Sequence, residues 1–430
     1  MPQVYNTKKR GIFSTGLHRN NSTNTTGKNQ LQPFASLTIP SYRWYWIGAI
    51  IGPGAIFMQA VARGWLIYEM TDSAFLLGLI TSCLGIPFIF IVPFSGVIAD
   101  RVDKRNMILF AESIIMISSL ALTVLVYLHM VQVWHLIVTT LGLGIGMALS
   151  MPSRQAIISE LLDKDYLLNG IALYSMGSNS MRILGPVLAG LMAGFFGLEL
   201  VFLVSSLLFV LVLISIFLIG PRGASSRIKK TNQMEDLLEG LKYLKHHPAI
   251  LVLILCAYVI ALLGSNYVTL LPVFVADIFK LGPSGLGFLT GAAAVGAMAS
   301  AIAVAWMGNL KRKGWVLLIS CLAYGLALIA FAATSFYILA LVILIIVGAA
   351  QAVCLMMNQT ILQTNVDQSV LGRVLSVYLI SSGLQNIAGI PFGGIAQGIG
   401  APSTIIICGI TLALFAIVLM FLAPKIRELG

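Results

Sequence analysis

The stretch "GVIADRVDKR" (residues 96–105) places five charged residues between two long apolar runs. The run before it is "FLLGLITSCLGIPFIFIVPFS" (75–95), and the run after it is "NMILFAESIIMISSLALTVLVYLH" (106–129). Each run is long enough to cross the ~30 Å hydrocarbon core of a bilayer as an α-helix. Because charged side chains are costly in that core, the stretch predicts a polar turn between two membrane-spanning helices.

The composition extends this prediction to the whole chain. Of its 430 residues, 58% are hydrophobic and 10% are charged, whereas a soluble domain carries about 25% charged residues. The apolar runs are continuous, without the alternation that a transmembrane barrel requires. We therefore predict an all-α polytopic membrane protein with twelve transmembrane helices, near 44–69, 75–99, 106–128, 132–155, 167–193, 198–220, 249–276, 283–307, 314–334, 336–362, 370–397 and 402–424.

Weak internal similarity predicts two pseudo-symmetric six-helix bundles. "SAFLLGLIT" (73–81) matches "SGLGFLT" (284–290), and "GPVLAG" (185–190) matches "IPFGG" (390–394), at offsets of 204 to 209 residues. A parallel repeat of six spans is typical of transporters, whose solute site lies between the halves. The expected domains are a disordered tail (1–40), a first bundle (41–220), a linker with an amphipathic helix (221–247), a second bundle (248–424) and a short tail (425–430).

The distribution of charge predicts the orientation in the membrane. Lysines and arginines gather in one set of loops, whereas the other set holds Glu69, Asp72, Glu199 and Asp277 with Lys280 as its cation. Basic loops stay in the cytoplasm, so both termini are expected there, in a multi-pass protein of the plasma membrane. The net charge of +11 is explained in the same way and does not predict nucleic-acid binding.

The opening stretch resembles the cytoplasmic loop motif of the major facilitator superfamily, G-x-x-x-D-R-x-G-R-R/K. "RGWLIYEMTDS" (63–73), "EGLKYLKHHP" (239–248) and "NQTILQTNVDQSVLGRVLSVY" (358–378) resemble that superfamily's twelve-span drug:proton antiporters, a group that includes enterobactin exporters and macrolide efflux proteins. The resemblance implies a secondary active transporter that exports an amphiphilic small molecule in exchange for protons. The chain departs from the motif at Asp103, where the superfamily usually has glycine.

The motif residues are candidates for a cytoplasmic gate. Gly96 permits close packing of spans 2 and 11, and Asp100 can accept hydrogen bonds from the positive N-terminus of another helix. The alternative is that the loop is only a positive-inside anchor. Asp103 is expected to pair locally with Arg105. The full set of gate candidates, in which Arg154 and Glu160 are expected partners of Asp100 and Arg101, is Gly96, Asp100, Arg101, Lys104, Arg105, Arg154, Glu160 and Arg373.

Ionisable residues inside spans are candidates for the solute or proton site, because each costs roughly 2.5–3.5 kcal/mol on insertion scales. Arg182 can bind an anionic solute or form a structural salt bridge; Asn179 and Pro186 share its helix face. Glu112 can carry a proton, or it can neutralise Arg154 or Arg182. Arg63 shares a face with Gln59 and either snorkels outward or lines the cavity. Asn358 and Gln363 are candidates for solute contact or interhelical hydrogen bonding.

Glycines and prolines in spans 5 and 11 are candidates for helix flexing. "GPVLAG" resembles a truncated antiporter motif and is expected to break backbone pairing in span 5, because proline lacks an N–H group. Packing of small residues is the alternative interpretation. The candidate flexing residues are Gly185, Pro186, Pro391, Gly393 and Gly394.

Other function classes lack their motifs. No G-x-x-x-x-G-K-[ST] loop occurs, and the histidines lie in tails and loops, so neither an ATP-driven pump nor an intramembrane metal enzyme is expected. The expected partners are a small-molecule substrate, protons and the lipid bilayer, without cofactor or metal, in a monomer. The alternatives to export are a proton symporter that takes up a nutrient, or an uncoupled channel or lipid scramblase.

Overall fold

The structure is a computed structural model that describes residues 34–220, 242–308, 312–367, 370–422 and 427. Within these ranges the side chains of residues 93, 94, 96–101, 376 and 382 are not described. Most of the predicted N-terminal tail and of the predicted linker lies outside the described residues, as does most of the C-terminal tail.

Twelve helices follow one another along the described chain. Those of the first half are α1 (Pro40–Thr71), α2 (Ala74–Ser82 and Gly85–Arg101), α3 (Lys104–Tyr127), α4 (Val133–Leu161), α5 (Lys164–Phe196) and α6 (Leu198–Phe217). Those of the second half are α7 (Pro248–Ile278), α8 (Pro283–Met307), α9 (Lys313–Ala333), α10 (Tyr337–Asn365), α11 (Leu371–Ile399) and α12 (Ala401–Leu422). The predicted twelve-helix fold is confirmed.

Eleven of these helices are long and apolar enough to cross a membrane, and α5 is the exception. It has 33 residues, so its length of about 50 Å at 1.5 Å per residue is ample for a span. Its apolar character is interrupted by a polar run that begins at Ser175 and includes Asn179 and Arg182. A membrane-spanning helix with such a run is expected to turn it away from lipid.

The turns between helices use residues suited to sharp changes of direction. The Ser73 hydroxyl accepts a hydrogen bond from the Leu76 N–H at 3.2 Å and so caps the start of α2. Gly197 (φ 89°) and Gly400 (φ 88°) separate α5 from α6 and α11 from α12. Both adopt a positive φ that glycine reaches without strain, which lets consecutive helices reverse direction within one residue.

Two helices are interrupted at the same short sequence. In α2 the break falls at Cys83 and Leu84, and in α11 it falls at Ala388. Each break directly precedes the letters "GIPF" (85–88 and 389–392). Because proline cannot supply an N–H to the preceding turn, a break just before it is the expected backbone consequence.

Helix α5 runs unbroken through Pro186, although the proline lacks the N–H group that would pair with the preceding turn. Gly185 and Pro186 are both buried. A Cβ on Gly185 would lie 3.0 Å from the Phe57 Cβ and 3.1 Å from the Gly54 oxygen, so α1 presses directly on this turn. Neighbouring helices can hold a proline-containing turn in place within a bundle, and here they do.

The helices form the two predicted bundles. In the first, α1 packs against α5 and α6, and α3 packs against α4 and α6. In the second, α8 packs against α10, and α9 packs against α10 and α12. The main contacts between bundles are α5 with α8 and α2 with α11. Two pseudo-symmetric six-helix bundles are therefore joined along two seams.

Both seams require glycine. A Cβ on Gly287 would lie 2.5 Å from the Pro186 oxygen and 2.7 Å from the Gly190 Cα. A Cβ on Gly389 would lie 2.7 Å from the Gly78 oxygen. No side chain fits at such separations, so the backbones meet only because Cβ atoms are absent. Gly78 and Gly287 occupy equivalent places in the sequence repeat, which relates one seam to the other.

Candidate functional site

The two membrane faces of the molecule differ in charge. We call the face at which α1 begins, and at which Lys104, Arg105 and Arg373 lie, the basic face. The other face carries Glu199 and Asp277 and is called the opposite face.

Near the opposite face the bundles are hydrogen-bonded to each other. The Tyr68 hydroxyl on α1 donates to Asp277 Oδ2 on α7 at 2.5 Å. The Ser73 hydroxyl, before α2, lies 3.1 Å from Gln397 Oε1 on α11. These two contacts, which we call the opposite-face latch, lie beside the glycine seams. Together they hold the two bundles against each other near this face.

Toward the basic face α5 and α8 separate. Gly190 on α5 contacts α8, but Met176 and Asn179, which lie three to four turns earlier on the same stripe, are exposed. The facing stripe of α8 is also exposed toward the basic face, where the side chains of Met298 and Ile302 are 39% and 53% exposed. The seam between the bundles therefore opens into a gap that faces the basic side.

Arg182 lies at the inner end of this gap. Its guanidinium carbon is 5.8 Å from the centre of the Phe57 ring on α1, and it interacts electrostatically with Tyr267 on α7. Arg182 is exposed, and so is Asn179, whose amide donates to the Ser175 carbonyl at 2.8 Å. The structure thus brings the predicted cation to the junction of both bundles, with an exposed side chain and without an ion pair among the described residues.

Glu112 and Arg154 form an ion pair inside the first bundle. Arg154 Nη2 donates to Glu112 Oε1 at 2.7 Å, with the two side chains 14% and 3% exposed. The Tyr45 hydroxyl donates to the Arg154 carbonyl at 2.7 Å. Of the two partners considered for Glu112, Arg154 is confirmed. Whether Arg154 also meets Asp100 or Arg101, as the sequence predicts, falls outside the described side chains.

Arg63 is a buried cation of a different kind. Its Nη1 donates to the Thr140 hydroxyl at 2.6 Å and its Nη2 to Gln59 Oε1 at 3.4 Å. Its Nε is buried and has no hydrogen-bond partner in the part of the chain that the structure describes. The Gln59 side-chain amide donates a hydrogen bond to the Ser119 hydroxyl, and the oxygen of that hydroxyl lies 2.6 Å from the Ser206 hydroxyl oxygen. Arg63 is only 6% exposed, so the outward snorkelling considered for it is wrong; helices α3, α4 and α6 enclose it.

The predicted amides are placed unequally. Asn358 is fully buried, and its amide donates to the Leu253 carbonyl at 2.9 Å, joining α10 to α7. Gln363 is exposed near the basic end of α10. For Asn358 the geometry is that of interhelical hydrogen bonding, the alternative that the sequence had left open.

The basic-face candidates divide into two groups. Lys104 forms an ion pair with Glu160, which ties the start of α3 to the end of α4. The Arg105 guanidinium donates to the carbonyls of Ile216 and Phe217 at 3.2 and 2.7 Å, at the C-terminus of α6. A cation there is stabilised by the helix dipole. Among the described residues, these contacts hold the first bundle together rather than joining the two bundles.

The predicted pairing of Asp103 with Arg105 is wrong. The Asp103 carboxylate instead accepts a hydrogen bond from the Asn106 N–H at 3.1 Å and caps the start of α3. Arg105 turns the other way, to the carbonyls of α6. The side chains of Gly96, Asp100 and Arg101 lie outside the described residues, and Arg373 lies on the first turn of α11.

The flexing candidates lie at the seams or beside breaks. Gly185 contacts α1 and the Pro186 carbonyl faces α8. Pro391 follows the break in α11. A Cβ on Gly393 would lie 2.6 Å from the Ala74 oxygen on α2, whereas Gly394 has more room, with Phe75 at 3.7 Å. Four of the five are therefore at helix contacts or interruptions.

Sequence reasoning missed the Tyr68–Asp277 contact, although a signal was present. The two residues are 209 positions apart, and the internal repeat has offsets of 204 to 209. They therefore occupy nearly equivalent places in the two halves. Equivalent positions close to a pseudo-two-fold axis must lie near each other, so the repeat contained this information.

Two features of the second bundle were also missed. Helix α7 contains π-helical segments at Ile260–Gly264 and Phe274–Ile278, a feature often found at functional positions. Beside the first segment, the buried Tyr324 hydroxyl and Asn266 Oδ1 have no hydrogen-bond partner among the described residues. Neither feature has a local sequence signature in this chain.

The comparisons with known proteins agree with this architecture. The profile of a family described as transmembrane secretion effector matches residues 31–429. The staphyloferrin A transporter of Staphylococcus aureus is 24% identical over 376 residues, covering 85% of this chain and 92% of the relative. Enterobactin exporter EntS of Escherichia coli is 23% identical over 399 residues, covering 91% and 94%.

A solved structure shares the fold. A bacterial homologue of the human lysosomal transporter Spinster, in an inward-facing and unoccupied conformation, superimposes with a TM-score of 0.70 at 18% identity. The match covers 90% of this chain and 98% of that one.

Proposed function

The chain belongs to the transmembrane secretion effector family of the major facilitator superfamily, and from this membership we propose that it is a proton-coupled exporter of an anionic, amphiphilic small molecule. The named relatives are transporters, two of them for siderophores. A molecule of that class, with carboxylate or catecholate groups on a partly apolar body, is the proposed substrate. The protein is proposed to act as a monomer by alternating access between the two membrane faces.

The observation that carries this proposal is the wedge-shaped gap between the bundles. Near the opposite face the glycine seams and the opposite-face latch hold the bundles together, whereas toward the basic face the facing stripes of α5 and α8 are exposed. Arg182 lies at the inner end of the gap. Alternating access requires a gap between two pseudo-symmetric bundles that is closed at one membrane face while it is open at the other.

The charge inside the spans supports an anionic substrate. Well inside the spans of the first bundle lie three arginines, Arg63, Arg154 and Arg182, but a single carboxylate, Glu112. The pair of Glu112 with Arg154 leaves two cations uncompensated among the described residues. In a medium of low dielectric constant a fixed cation attracts a solute anion strongly. Arg182, which is exposed in the gap, is the proposed first contact.

The basic face is proposed to be cytoplasmic, in accord with the positive-inside rule. On that orientation the described conformation faces inward. A solute from the cytoplasm enters the gap, its anionic group contacts Arg182, and its apolar part lies along the exposed stripes of α5 and α8. Release on the other side requires the opposite-face latch to open while the cytoplasmic gate predicted from the sequence motif closes.

Glu112 is proposed as the proton-coupling group. Its carboxylate is bound to Arg154, and protonation would remove that charge-assisted hydrogen bond. The buried Arg154 would then need another partner, so the protonated state favours a different helix arrangement. This links proton uptake to conformation through one ion pair. Such a rearrangement is proposed to bend helix α11 at its flexing residues, Pro391 to Gly394.

Transport in vesicles tests the proposal. Media from cells that overproduce the chain and from cells that lack it are compared for anionic metabolites. Compounds that differ are then offered to inside-out vesicles with an imposed pH gradient. We expect accumulation that depends on the gradient and is lost in Arg182→Ala and Glu112→Gln. Accumulation in the reverse direction would identify a symporter for uptake, and movement without a gradient would contradict proton coupling.

A further inference from the structure

A second cavity, separate from the gap between the bundles, lies on the basic face. Its volume is about 370 Å³, and it is lined by Lys242, Tyr243, His246, His247, Val370 and Arg373. Residues 242–246 are helical and lead into α7, which begins at Pro248. The other wall is the start of α11. The cavity therefore lies at the level where two helices enter the membrane.

The walls of this cavity are held in place by packing, ring stacking and hydrogen bonds. Leu244, on the inner side of the short helix, is 2% exposed within the apolar core of the second bundle. The rings of Tyr243 and His247 stack with centroids 3.9 Å apart. His246 Nδ1 and His247 Nδ1 bond to the carbonyls of Lys242 and Tyr243 at 2.8 and 3.0 Å. The basic side chains are thus fixed on an anchored turn.

The lining is strongly basic. Four of its six residues, Lys242, His246, His247 and Arg373, are basic, and the described lining contains no carboxylate. Because each Nδ1 is bonded to a carbonyl, the Nε2 of each histidine points elsewhere and becomes a donor when the ring is protonated. Tyr243 and Val370 provide the apolar part. A multivalent set of donors beside apolar surface suits a phosphodiester attached to a hydrocarbon body.

We propose that this cavity, called here the headgroup cavity, binds the phosphodiester of an anionic phospholipid in the cytoplasmic leaflet. The proposal rests on the orientation given under the proposed function. The cytoplasmic leaflet carries negative surface potential, and basic pockets at helix ends on that side recognise lipid headgroups. A phosphate that contacts both Lys242 and Arg373 bridges the turn before α7 to the start of α11, and so ties together two helices of the second bundle.

Lipid binding is measured with the full chain in nanodiscs. Phosphatidylcholine discs receive increasing fractions of phosphatidylglycerol, and bound lipid is counted by native mass spectrometry after release into detergent. We expect one tightly retained phosphatidylglycerol. The variant Lys242→Gln with His246→Gln should lower its apparent affinity about 25-fold, since each basic residue near an anionic surface contributes roughly fivefold. Lys245→Gln, a neighbour that is exposed and does not line the cavity, is the matched control.

Three outcomes overturn the proposal. Equal retention by the double variant and the unaltered chain would show that the cavity does not hold the lipid. An equal loss in Lys245→Gln would show diffuse attraction to the surface. Full competition by inorganic phosphate would assign the cavity to free phosphate. The variants replace exposed side chains, so unfolding temperatures in pure phosphatidylcholine should stay unchanged.

This measurement is independent of transport, so the exporter proposal can fail without affecting it. Orientation is tested separately with Lys242→Cys and a maleimide that does not cross membranes. Labelling in inside-out vesicles but not in intact cells is expected. Labelling of intact cells would overturn the cytoplasmic assignment of the cavity, even if phosphatidylglycerol still bound in nanodiscs.

Discussion

The two bundles have the same arrangement of six helices but different interiors. The first holds Arg63, Glu112, Arg154 and Arg182 well inside its spans. In the described spans of the second, charged residues occur only near the helix ends, at Asp277, Lys313 and Arg373. The second bundle has neutral polar groups instead, and its α7 is interrupted by two π-helical segments.

This difference suits the first bundle to substrate recognition and proton coupling, and the second bundle to bending. Buried charges need fixed partners, since an unpaired ion in a bundle costs several kcal/mol; the first bundle is therefore suited to recognition and coupling in a rigid frame. A π-helical turn leaves backbone groups less regularly bonded and accommodates movement more easily. The second bundle is therefore suited to bending. Four substitutions test this contrast, in order of the size of effect expected.

The largest effect is expected from Glu112→Gln. It leaves Arg154 buried beside a neutral amide, and removing one partner of a buried ion pair costs about 3–5 kcal/mol. We expect a large drop in the free energy of unfolding, measured by denaturant titration in detergent, together with loss of proton-driven transport. Adding Arg154→Met should restore much of the stability without restoring transport, because both charges are then absent.

The control for this prediction is Glu160→Gln. Its partner Lys104 is at the basic face, with side-chain exposures of 15% and 28% for Lys104 and Glu160, where an ion pair contributes about 1 kcal/mol or less. Equal losses for Glu112→Gln and Glu160→Gln would mean that depth in the bundle does not govern the cost. The proposed special role of the first bundle's interior would then be lost.

The next effect concerns the seam between the bundles. Gly287→Ala places a methyl group 2.5 Å from the Pro186 oxygen, and forcing such an overlap costs about 1–3 kcal/mol. Each bundle can remain folded if the seam opens, so we expect a shift toward the outward-open state. Spin labels at Glu199 and Phe336, on the two bundles near the opposite face, should report a longer distance.

Gly398→Ala is the matched substitution, since it lies in α11 with no atom within 4 Å of the added Cβ. It should leave the label distance unchanged and favour the helix slightly. An unchanged distance in Gly287→Ala, with loss of folded protein instead, would show that the seam belongs to the folded core rather than to a contact that opens.

A smaller effect on stability, though not on function, is expected from Arg182→Ala. Arg182 is exposed and its described contact is with the Phe57 ring, so stability should change by about 1 kcal/mol or less. Transport of the anionic substrate should fall at least tenfold. Asn179→Ala, one turn away, should lower transport less. If Arg182→Ala transported normally, the uncompensated charge of the first bundle would have no role in recognition.

The sequence was sufficient for the spans, because hydrophobicity over about 20 residues is a local property. The repeat also matched the stretches 73–81 and 284–290, which the structure places at the two seams, but it did not predict that glycines make those contacts. Side-chain partners were harder to predict. Glu112 had two possible cations, and only the packing of α3 against α4 selects Arg154. The burial of Arg63 depends on three other helices, and the π-helical segments of α7 depend on neighbours such as Tyr324, which packs on Gly264.

The smallest effect is expected in the second bundle, from Tyr324→Phe. The Tyr324 hydroxyl is buried beside Gly264 and lacks a hydrogen-bond partner among the described residues. Removing a buried, unsatisfied hydroxyl should leave stability unchanged or raise it by up to about 1 kcal/mol. Tyr258→Phe is the control, because its hydroxyl donates to the Val377 carbonyl at 2.7 Å, and its loss should cost about 1 kcal/mol.

Thermal unfolding of the purified variants in one detergent measures both substitutions together. If Tyr324→Phe destabilises as much as Tyr258→Phe, the Tyr324 hydroxyl must be bonded through an ordered water. Asn266 Oδ1 on α7, which is also unpaired among the described residues, is the candidate acceptor for that water. The second bundle would then hold a hydrated polar site at its π-helical turn. Both bundles would then have a polar interior, and the two interiors would differ only in the number of charged residues.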